Sequence, residues 1–384
     1  MAGTFYEFFA GGGMARAGLG SGWECLFAND IDADKASSYR ENWVADEFEL
    51  ADVGRVTTAR LPGSPDLAWA SFPCQDLSLA GAYKGLAGAR SGTFWPFWQL
   101  MLQLRTEGRS PRMIVLENVF GALTSHGGED FRQIAGAFAK AKYRFGAMII
   151  DARLFVPQSR PRLFIIGVRE DVFLPSGLTS GGPIEPWHTK AVQAAYAGLP
   201  ETSRQAWLWW APPLPKPRKG TLEDLIEDEP SGVSWNSTAQ TQYLLSLMNA
   251  LHTDKVRSAQ VRARETGRNV VGGVYRRTRE GRQRAEVRFD GLAGCLRTPA
   301  GGSSRQAIIV VGPRQVRSRL VSPREAARLM GLPDSYRLPE NYNQAYQLVG
   351  DGVVVPVVRH IAKTLLEPMT AAQADLHPSR IAAQ

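Results

Sequence analysis

The strongest constraint on the fold is an alternation of strand-like and helix-like segments over the first 170 residues. Short apolar runs, typical of buried strands, alternate with segments in which apolar residues recur at helical spacing. The predicted strands are residues 4–9, 23–29, 66–71, 113–117, 144–151 and 163–168. The predicted helices are a short one ending near residue 20, and residues 31–42, 94–105 and 131–142. This order predicts an α/β fold with a doubly wound, mostly parallel sheet, whose ligands bind at the carboxyl ends of the strands.

The pattern changes after residue 170, which predicts a second domain. Residues 171–235 are rich in Pro, Gly and Trp and have no clean period. Beyond them we expect a helix within 234–251, short strands at 286–289 and 307–311, and helices at 323–330 and 353–366. Small, polar residues from Met369 onward predict a frayed end. We therefore predict one domain from residues 1–170 plus 335–372, a smaller, irregular, β-containing domain over 171–334, and a flexible tail over 373–384.

The positive charge is concentrated in the second predicted domain. The chain has 45 Lys+Arg and 37 Asp+Glu, which gives a net charge of +8. Residues 254–319 contain 16 of the basic and 5 of the acidic residues, so the rest of the chain is slightly acidic. Most of these bases are arginines, whose guanidinium groups bind phosphates and guanine edges through paired hydrogen bonds. The stretch predicts a surface for a polyanion such as nucleic acid, and a solvated basic face is the alternative.

Composition argues against several other classes of protein. Hydrophobic residues make up 44% and charged residues 21%, as in ordinary globular proteins. No apolar run approaches the roughly 20 residues of a membrane span. The N-terminus lacks the segment order of a signal peptide, so we expect no secretion. Cys25, Cys74 and Cys295 form no CxxC pair, which argues against a zinc cluster and favours a reducing cytoplasm.

A glycine-rich turn, Phe9-Ala10-Gly11-Gly12-Gly13, follows the first predicted strand. Glycines at such a turn let the backbone approach a ligand closely. Asp30, at the end of the second strand, stands where an acid can hydrogen-bond the hydroxyls of a ribose. The pair predicts a nucleoside-containing cofactor, and a purely structural turn is the alternative. A dinucleotide is disfavoured because Arg16 stands where its fingerprint requires a third glycine.

Cys74 follows the third predicted strand, within Phe72-Pro73-Cys74-Gln75, at the same edge of the sheet. A thiolate there is a candidate nucleophile. Residues 76–92 contain four glycines and suggest a loop that closes over a substrate. Most single cysteines are inert core residues, and we expect that of Cys25 and Cys295.

Glu117 and an alternating Gln-Arg-Arg segment complete the candidate site. Glu117 directly follows four apolar residues, so burial should raise its pKa. An acid that holds a proton can stabilise a ring nitrogen as negative charge develops there, whereas a salt-bridged structural Glu is the alternative. Gln158, Arg160 and Arg162 alternate along an extended segment. We therefore expect their donors on one face, toward a pyrimidine carbonyl oxygen or flanking phosphates.

Together and in this order, these motifs resemble the cytosine-5 DNA methyltransferase family, in its bacterial or phage form. The resemblance covers residues 4–168 and resumes over 288–366. It implies a Rossmann-like, class I methyltransferase sheet that binds the cofactor, and a smaller DNA-recognition domain in the inserted segment. The chain departs from the usual family residues at four positions, namely Glu7 for aspartate, Ser71 for glycine, Ile31 for an aromatic residue and Asp351 for asparagine.

The resemblance also implies S-adenosyl-L-methionine as the cofactor, S-adenosyl-L-homocysteine as its product, and no metal. The implied cofactor-binding residues are Phe9, Ala10, Gly11, Gly13, Met14, Asp30, Ile31, Asp52, Val53, Pro73, Phe94, Asp351, Gly352 and Val353. The implied catalytic residues are Cys74, Glu117, Asn118, Gln158, Arg160 and Arg162. The implied DNA-binding residues are Gln75, Ser78, Arg276, Arg277, Arg279, Arg297, Thr298 and Arg305.

The implied reaction methylates a cytosine flipped out of duplex DNA, because its ring is unreachable inside the stack. Cys74 would attack carbon 6, while Glu117 holds the ring nitrogen and the amino group. Carbon 5 would then take the methyl group, and loss of its proton and elimination of Cys74 would restore aromaticity. Asn118 would fix the loop that carries Pro73, and Arg160 and Arg162 would hold the base carbonyl and nearby phosphates.

Three other functions fit parts of the sequence. A tRNA-methylating member of the same family would need only a short insertion, whereas this chain has a long arginine-rich one. The others are an inactive DNA-binding regulator and, more distantly, a dinucleotide oxidoreductase. For the methyltransferase we expect double-stranded DNA as substrate, no membrane, a monomer in the cytoplasm at the nucleoid, and a cognate restriction endonuclease as a candidate partner.

Overall fold

The structure, a computed structural model, describes residues 2–43, 46–72, 93–279, 281–296 and 305–376. Contacts divide the chain into two compact units. Unit 1 comprises Met1–Ile150, Pro161–Pro215 and Val353–Gln384, and unit 2 comprises Asp151–Arg160 and Lys216–Gly352. These boundaries differ from the predicted domains. Residues 171–215 belong to unit 1 rather than to the second domain, and residues 335–352 belong to unit 2.

Unit 1 is built on a seven-stranded sheet. Its elements up to residue 169 are β1 (Gly3–Phe8), α1 (Met14–Leu19), β2 (Trp23–Asp30), α2 (Ala33–Asn42), β3 (Phe48–Leu50), β4 (Leu67–Ala70), α3 (Phe94–Thr106), β5 (Met113–Val119), α4 (Glu129–Lys140), β6 (Tyr143–Asp151) and β7 (Pro161–Arg169). The strand order is β3-β2-β1-β4-β5-β7-β6. The pairs from β3 to β5 are parallel, and β7 runs antiparallel to β5. The predicted doubly wound, mostly parallel sheet is confirmed.

The carboxyl ends of four neighbouring strands lie level with one another. Phe8 on β1 is in register with Asn29 on β2 and with Ala70 on β4, and Ala70 is in register with Leu116 on β5. The segments that follow these strands therefore emerge at one edge of the sheet. The glycine turn after β1, Asp30 at the end of β2 and Glu117 near the end of β5 belong to that edge, and Phe72 is the last described residue after β4.

Helices α3 and α4 pack on the sheet through apolar stripes at helical spacing. On α4 the stripe is Phe131, Ile134, Ala135 and Phe138, all buried. Phe138 stacks on Phe145 of β6, with ring centroids 5.5 Å apart. Complete burial of a side chain such as Phe138 contributes roughly 1.5–3 kcal/mol, so these stripes are sufficient to fix the helices on the sheet.

Helix α2 begins two residues later than expected, at Ala33 rather than at residue 31. The Asp32 carboxylate caps it by accepting hydrogen bonds from the Asp34 and Lys35 N–H groups. Residues 31 and 32 therefore remain outside the helix, at the end of β2.

Residues 171–215 cover the edge strand β6. They form β8 (Thr179–Ser180), α5 (Lys190–Ala197), α6 (Glu201–Gln205) and β9 (Trp209–Trp210). The Phe145 N–H donates to the Ala206 carbonyl (2.8 Å) and the Ile149 N–H to the Trp187 carbonyl (2.9 Å). An edge strand needs such partners for its backbone groups. This requirement explains why the Pro- and Trp-rich segment packs on unit 1 although it has no period of its own.

Unit 2 contains a four-stranded antiparallel sheet with the order β11-β10-β12-β13. Its elements are α7 (Thr238–Ser246), α8 (Ala250–Thr266), β10 (Val270–Arg279), β11 (Arg282–Arg288), β12 (Ala307–Val311), β13 (Val316–Leu320), α9 (Pro323–Leu329) and α10 (Tyr342–Asp351). Val256, Ala259 and Ala263 of α8 pack into one apolar cluster with Val274 and Ile309 of the sheet. The sequence analysis did not predict α8, because arginines dominate that stretch and hide its narrow stripe of small apolar residues.

The chain then returns to unit 1 through α11 (Val355–Ile361), a π-helical turn (Ala362–Leu366) and α12 (Glu367–Leu376). Helix α11 packs on α1 so closely that a Cβ added to Gly18 would lie 2.3 Å from Val358 Cβ. The expectation of a frayed end from Met369 was wrong for residues 369–376, which belong to α12 with Met369 fully buried, and the rest of the expected tail lies outside the described residues. None of the helices in the described ranges is long and apolar enough to cross a membrane.

Candidate active site

The turn after β1 is held by backbone hydrogen bonds, one within the turn and one to the neighbouring strand. The Ala10 N–H donates to the Asn29 carbonyl at the end of β2, and the Gly13 N–H donates to the Ala10 carbonyl, both at 2.8 Å. Phe9, Gly11 and Gly13 have φ angles of 58°, 56° and 75°. This left-handed backbone favours glycine, which explains the glycines at positions 11 and 13.

Asp30 fixes this turn from the neighbouring strand. Its carboxylate accepts hydrogen bonds from the Gly11 N–H (2.8 Å) and from the Asp32 N–H (2.9 Å). Because an ionised carboxylate has about four acceptor positions, it can still accept from the hydroxyls of a ribose. The predicted pairing of the glycine turn with Asp30 is thus present in the geometry.

Trp43 is a site residue that the sequence analysis missed. Its indole Nε1 donates to the Gly12 carbonyl (3.2 Å), so it holds the turn at the residue after the one that Asp30 binds. A Cβ added to Gly13 would lie 2.2 Å from this same nitrogen. No periodicity or motif points to Trp43, since it follows the end of α2 by one residue and contacts the turn only in the folded chain.

The space beside the turn fits a nucleoside. A Cβ added to Gly11 would meet nothing within 4 Å, so a ligand can approach the backbone there. Ile31 follows Asp30 and is 67% exposed, which places an apolar surface next to the Asp30 carboxylate. A base could rest on that surface while Asp30 binds the sugar. These residues fit the adenosine part of the expected cofactor.

The other expected cofactor residues of unit 1 lie deeper. The side chains of Met14, Val53 and Phe94 are buried, and Phe94 stacks on Trp98 with centroids 5.6 Å apart. Asp52 caps a short turn by accepting from the Gly54 N–H (2.8 Å). Met14, Val53 and Phe94 thus support the site from the core, whereas Asp52 is exposed.

The last motif crosses the boundary between the two units. Asp351, which ends α10, and Gly352 belong to unit 2, whereas Val353 begins the return of the chain to unit 1 and is buried. A role of these three residues in cofactor binding stays a prediction.

Glu7 is buried beneath the turn, on β1. Burial raises its pKa to about 8, although the Arg16 N–H, which donates to Oε1 at 3.2 Å, and the Arg16 charge oppose the rise. Its second oxygen, Oε2, has no hydrogen-bond partner. An ionised carboxylate in this position would be costly, so the side chain carries a proton at neutral pH.

Glu117, Asn118 and Arg162 meet at the ends of β5 and β7. Arg162 Nε lies 3.3 Å from Glu117 Oε1, and both side chains are largely buried. The Asn118 amide Nδ2 donates to the carbonyl of Phe72 (3.0 Å). Phe72 immediately precedes Pro73 and Cys74 in the sequence. The amide therefore holds the chain at the point where the predicted nucleophile segment begins.

Several predicted site residues lie outside the described residues, namely Pro73, Cys74, Gln75, Ser78, Arg297 and Thr298. The two remaining cysteines lie in different units of the chain. Burial raises the pKa of Cys25 to about 12. Cys295 belongs to unit 2, where its sulfur lies 3.3 Å from Arg160 Nη1. No cluster of three metal-ligating side chains occurs in the described part of the chain.

Gln158 and Arg160 bind backbone groups of unit 2, whereas Arg162 lies beside Glu117 in unit 1. The Gln158 side chain donates to the Leu329 carbonyl (2.8 Å) and accepts from the Leu296 N–H (3.2 Å). The Arg160 guanidinium donates to the carbonyls of Leu296 (3.1 Å), Gly350 (2.8 Å) and Gly352 (2.8 Å). Both side chains are buried. Two of the three expected donors are therefore occupied by backbone groups of unit 2 rather than directed toward a pyrimidine oxygen or phosphates.

The predicted DNA-binding arginines fall into two groups. Arg276, Arg277 and Arg279 lie on β10, where the side chains of Arg276 and Arg277 are exposed. Arg305, just before β12, donates to the Asn343 side chain, and its guanidinium lies 5.5 Å from the centroid of Tyr342. Arg305 is therefore held against α10, whereas Arg276 and Arg277 are exposed.

The C-5 cytosine-specific DNA methylase family matches residues 3–367 of the chain. The type II methyltransferase M.HhaI of Haemophilus parahaemolyticus is 24% identical over 362 residues, covering 93% of this chain and 92% of that protein. M.NlaX of Neisseria lactamica, also a type II methyltransferase, is 25% identical over 369 residues, covering 95% and 96%. The crystal structure of the S. pombe Dnmt2 methyltransferase is 16% identical and shares the fold, with a TM-score of 0.59 over 95% of this chain and 99% of that chain. The chain therefore belongs to the C-5 cytosine-specific DNA methylase family.

Proposed function

We propose that this protein is a sequence-specific DNA (cytosine-5-)-methyltransferase that transfers a methyl group from S-adenosyl-L-methionine to carbon 5 of a flipped cytosine. The observation that carries the proposal is the group formed by Glu117, Arg162 and Asn118 at the carboxyl edge of the sheet. An acid, a cation and an amide that holds the start of the nucleophile segment are the parts that this chemistry needs.

The reaction begins when the Cys74 thiolate forms a bond to carbon 6 of the cytosine, and an electron pair moves toward carbon 5 and ring nitrogen 3. Glu117 stabilises the charge that develops on nitrogen 3 by hydrogen bonding, and Arg162 holds both the carboxyl group and the base oxygen. When bound, S-adenosyl-L-methionine supplies the methyl group that carbon 5 takes, and its positively charged sulfonium becomes a neutral thioether. Carbon 5 then loses its proton to solvent, the double bond re-forms, and Cys74 leaves as a thiolate.

The cofactor would be held by the turn after β1 and by the ends of β2 and β3. Asp30 would bind the ribose hydroxyls, Ile31 would pack on the adenine, and Gly11 would let the backbone approach the ligand. Trp43 keeps the turn in the conformation that this binding requires.

Gln158 and Arg160 would act as positioning residues rather than by binding the base. Both bind the backbone of Leu296, and each also binds a more distant part of unit 2, which is Leu329 for Gln158 and Gly350 with Gly352 for Arg160. They would thereby hold the segment before β7 and, with it, Arg162.

Double-stranded DNA is the proposed substrate, because unit 2 carries the arginine-rich stretch and because the relatives are named type II methyltransferases. In this proposal the protein acts as a monomer in the cytoplasm, at the nucleoid. A restriction endonuclease with the same recognition sequence is its candidate partner.

A methyl-transfer assay with radiolabelled S-adenosyl-L-methionine tests the proposal. Wild-type protein should label duplex DNA and leave tRNA unlabelled, and Cys74→Ser should bind DNA but transfer no methyl group. Cys25→Ser is the matched control, because Cys25 is half-buried in the first half of β2, away from the carboxyl edge, and it should retain activity. Full activity of Cys74→Ser, or labelling of tRNA alone, would contradict the proposal. Bisulfite sequencing of DNA from cells that express the protein would then identify the recognition sequence.

A further inference from the structure

The ring of Phe72 packs between two parts of the candidate site in unit 1. Its centroid lies 6.5 Å from that of Phe9, which belongs to the turn after β1. It lies 5.7 Å from that of Phe94, the first residue of α3. Both distances fall within the range of about 4.5–7 Å in which aromatic rings attract each other. Phe72 therefore joins the turn to α3 at the point where the chain leaves β4 for Pro73 and Cys74.

The core holds Phe72 on several sides. Phe72 and Phe94 are both buried in one apolar cluster, where Phe94 stacks on Trp98 with centroids 5.6 Å apart. The backbone of Phe72 is held as well, because the Asn118 amide Nδ2 donates to its carbonyl (3.0 Å). Asn118 directly follows Glu117 on β5. The position of Phe72 is therefore tied both to α3 and to the strand that carries the predicted catalytic acid.

Phe9 is held by the cofactor turn itself. Its side chain is only partly buried, and its φ of 58° lies in the left-handed region that residues other than glycine rarely adopt. Such a backbone conformation persists only where its surroundings impose it. The Asp30 carboxylate, which accepts from the Gly11 N–H (2.8 Å), is part of those surroundings. A ligand that binds Asp30 and approaches Gly11 would therefore also fix Phe9, and with it the ring that packs on Phe72.

We propose that Phe72 is a positioning residue that couples occupation of the cofactor site to the placement of the nucleophile, an inference that rests on the proposed function. A ligand on the turn fixes Phe9, Phe9 fixes the ring of Phe72, and Cys74 follows two residues later. The hydrogen bond from Asn118 ties the same point to the strand of Glu117. The nucleophile and the acid are thus held in place more firmly when the cofactor site is occupied.

Coupling of this kind acts in both directions. If occupation of the cofactor site improves the placement of the nucleophile at the target base, binding of the DNA must improve cofactor binding by the same factor. S-adenosyl-L-homocysteine is a suitable probe, because it carries no methyl group to transfer and therefore binds without reaction. The affinity for this probe, measured with and without a duplex that carries the recognition sequence, gives the coupling factor.

The test compares Phe72→Leu with Phe131→Leu. Phe72→Leu keeps an apolar side chain and the carbonyl that Asn118 binds, but it removes both ring contacts. Phe131→Leu is the matched control, since Phe131 is buried in the same cluster but lies on α4, where its ring packs on Trp207 with centroids 6.2 Å apart. Calorimetry with S-adenosyl-L-homocysteine, with and without the duplex, gives the coupling factor of each protein. The kcat for methyl transfer and the melting temperature are measured in parallel.

In the wild type and in Phe131→Leu, we expect the duplex to strengthen binding of S-adenosyl-L-homocysteine about fivefold or more. In Phe72→Leu this factor should fall to about one, and kcat should fall roughly tenfold. Its affinity for S-adenosyl-L-homocysteine without DNA should stay nearly unchanged. Both variants should lose a similar amount of melting temperature, because each loses part of a buried ring. The double variant Phe9→Leu/Phe72→Leu should lose no more coupling than Phe72→Leu alone, because the two rings act through one contact.

Three results would overturn the role assigned to Phe72. They are a coupling factor that survives in Phe72→Leu, an equal loss of coupling in Phe131→Leu, and independent binding of the duplex and S-adenosyl-L-homocysteine to the wild type. In each case a wild-type protein that methylates duplex DNA leaves the proposed function intact. If the wild type transfers no methyl group to duplex DNA, the proposed function fails instead.

Discussion

Replacing Glu7 by glutamine should remove a pH-dependent loss of stability. Glu7 is completely buried and its pKa rises to about 8, mainly because burial disfavours the charged form. In the unfolded chain the same carboxyl group titrates near its ordinary value of 4.5. Between these two values the unfolded chain releases a proton that the folded protein keeps, so stability is lost as the pH rises. Above the folded pKa the loss stays constant.

The magnitude follows from the two pKa values. At about 1.36 kcal/mol per pH unit, the wild-type protein should lose about 5 kcal/mol between pH 4.5 and pH 8 through this group alone. Glu7→Gln cannot ionise and does not lose stability in this way. The free energy of unfolding of the variant, minus that of the wild type, should therefore increase by about 5 kcal/mol over the same pH range. The buried amide of the variant also changes the free energy of unfolding by an amount that does not depend on pH. This amount cancels, because only the change of the difference with pH is interpreted.

The assay is urea denaturation of both proteins at intervals from pH 5 to pH 9. Glu24→Gln is the control, since Glu24 is exposed on the neighbouring strand β2 and its loss should not alter the pH dependence. The reasoning would be refuted if the difference in free energy of unfolding between Glu7→Gln and the wild type stayed constant across the whole pH range. It would mean that Glu7 is already ionised in the folded protein at pH 5.

Three further substitutions test the site. Asn118→Ala removes the hydrogen bond to the Phe72 carbonyl. The kcat for methyl transfer should therefore fall roughly tenfold or more, with little change in melting temperature. A fall in kcat that is accompanied by a large fall in melting temperature would contradict a positioning role. Gly13→Ala should weaken cofactor binding at least tenfold by calorimetry (on the order of), because its Cβ would clash. Gly108→Ala has a similar φ but open space, so it should bind normally. Arg160→Ala should destabilise the protein by about 2–4 kcal/mol in urea denaturation, since it leaves buried carbonyls without donors, and an unchanged midpoint would rule this out.

The sheet could be predicted from the sequence because its strands are short apolar runs separated by helices of clear period. Every strand with such a run lies within two residues of its predicted ends, for example β5, which was expected at 113–117 and spans Met113–Val119. The glycine turn and Asp30 could be paired for the same reason, since the topology brings the ends of β1 and β2 to one edge. These features depend on local sequence and on the general rules for parallel sheets.

The features that were missed depend on contacts between distant parts of the chain. Gln158 and Arg160 alternate as expected, but their partners are backbone groups more than 130 residues away. Nothing in the local pattern specifies those partners. Residues 171–215 have no period because their role is to pair with the edge of β6, which sets no repeat in their own sequence. Trp43 contacts the glycine turn in the same way, across the fold.

The central claim is that Cys74 attacks carbon 6 of a DNA cytosine and that carbon 5 must then lose its proton. A duplex in which the target cytosine carries fluorine at carbon 5 tests both steps, because fluorine cannot leave as a proton does and the elimination of Cys74 is blocked. With S-adenosyl-L-methionine present, we predict a protein–DNA adduct that survives denaturation, and peptide mass spectrometry should locate it at Cys74. The absence of an adduct with an active enzyme, or its attachment at Cys25 or Cys295, would contradict the mechanism.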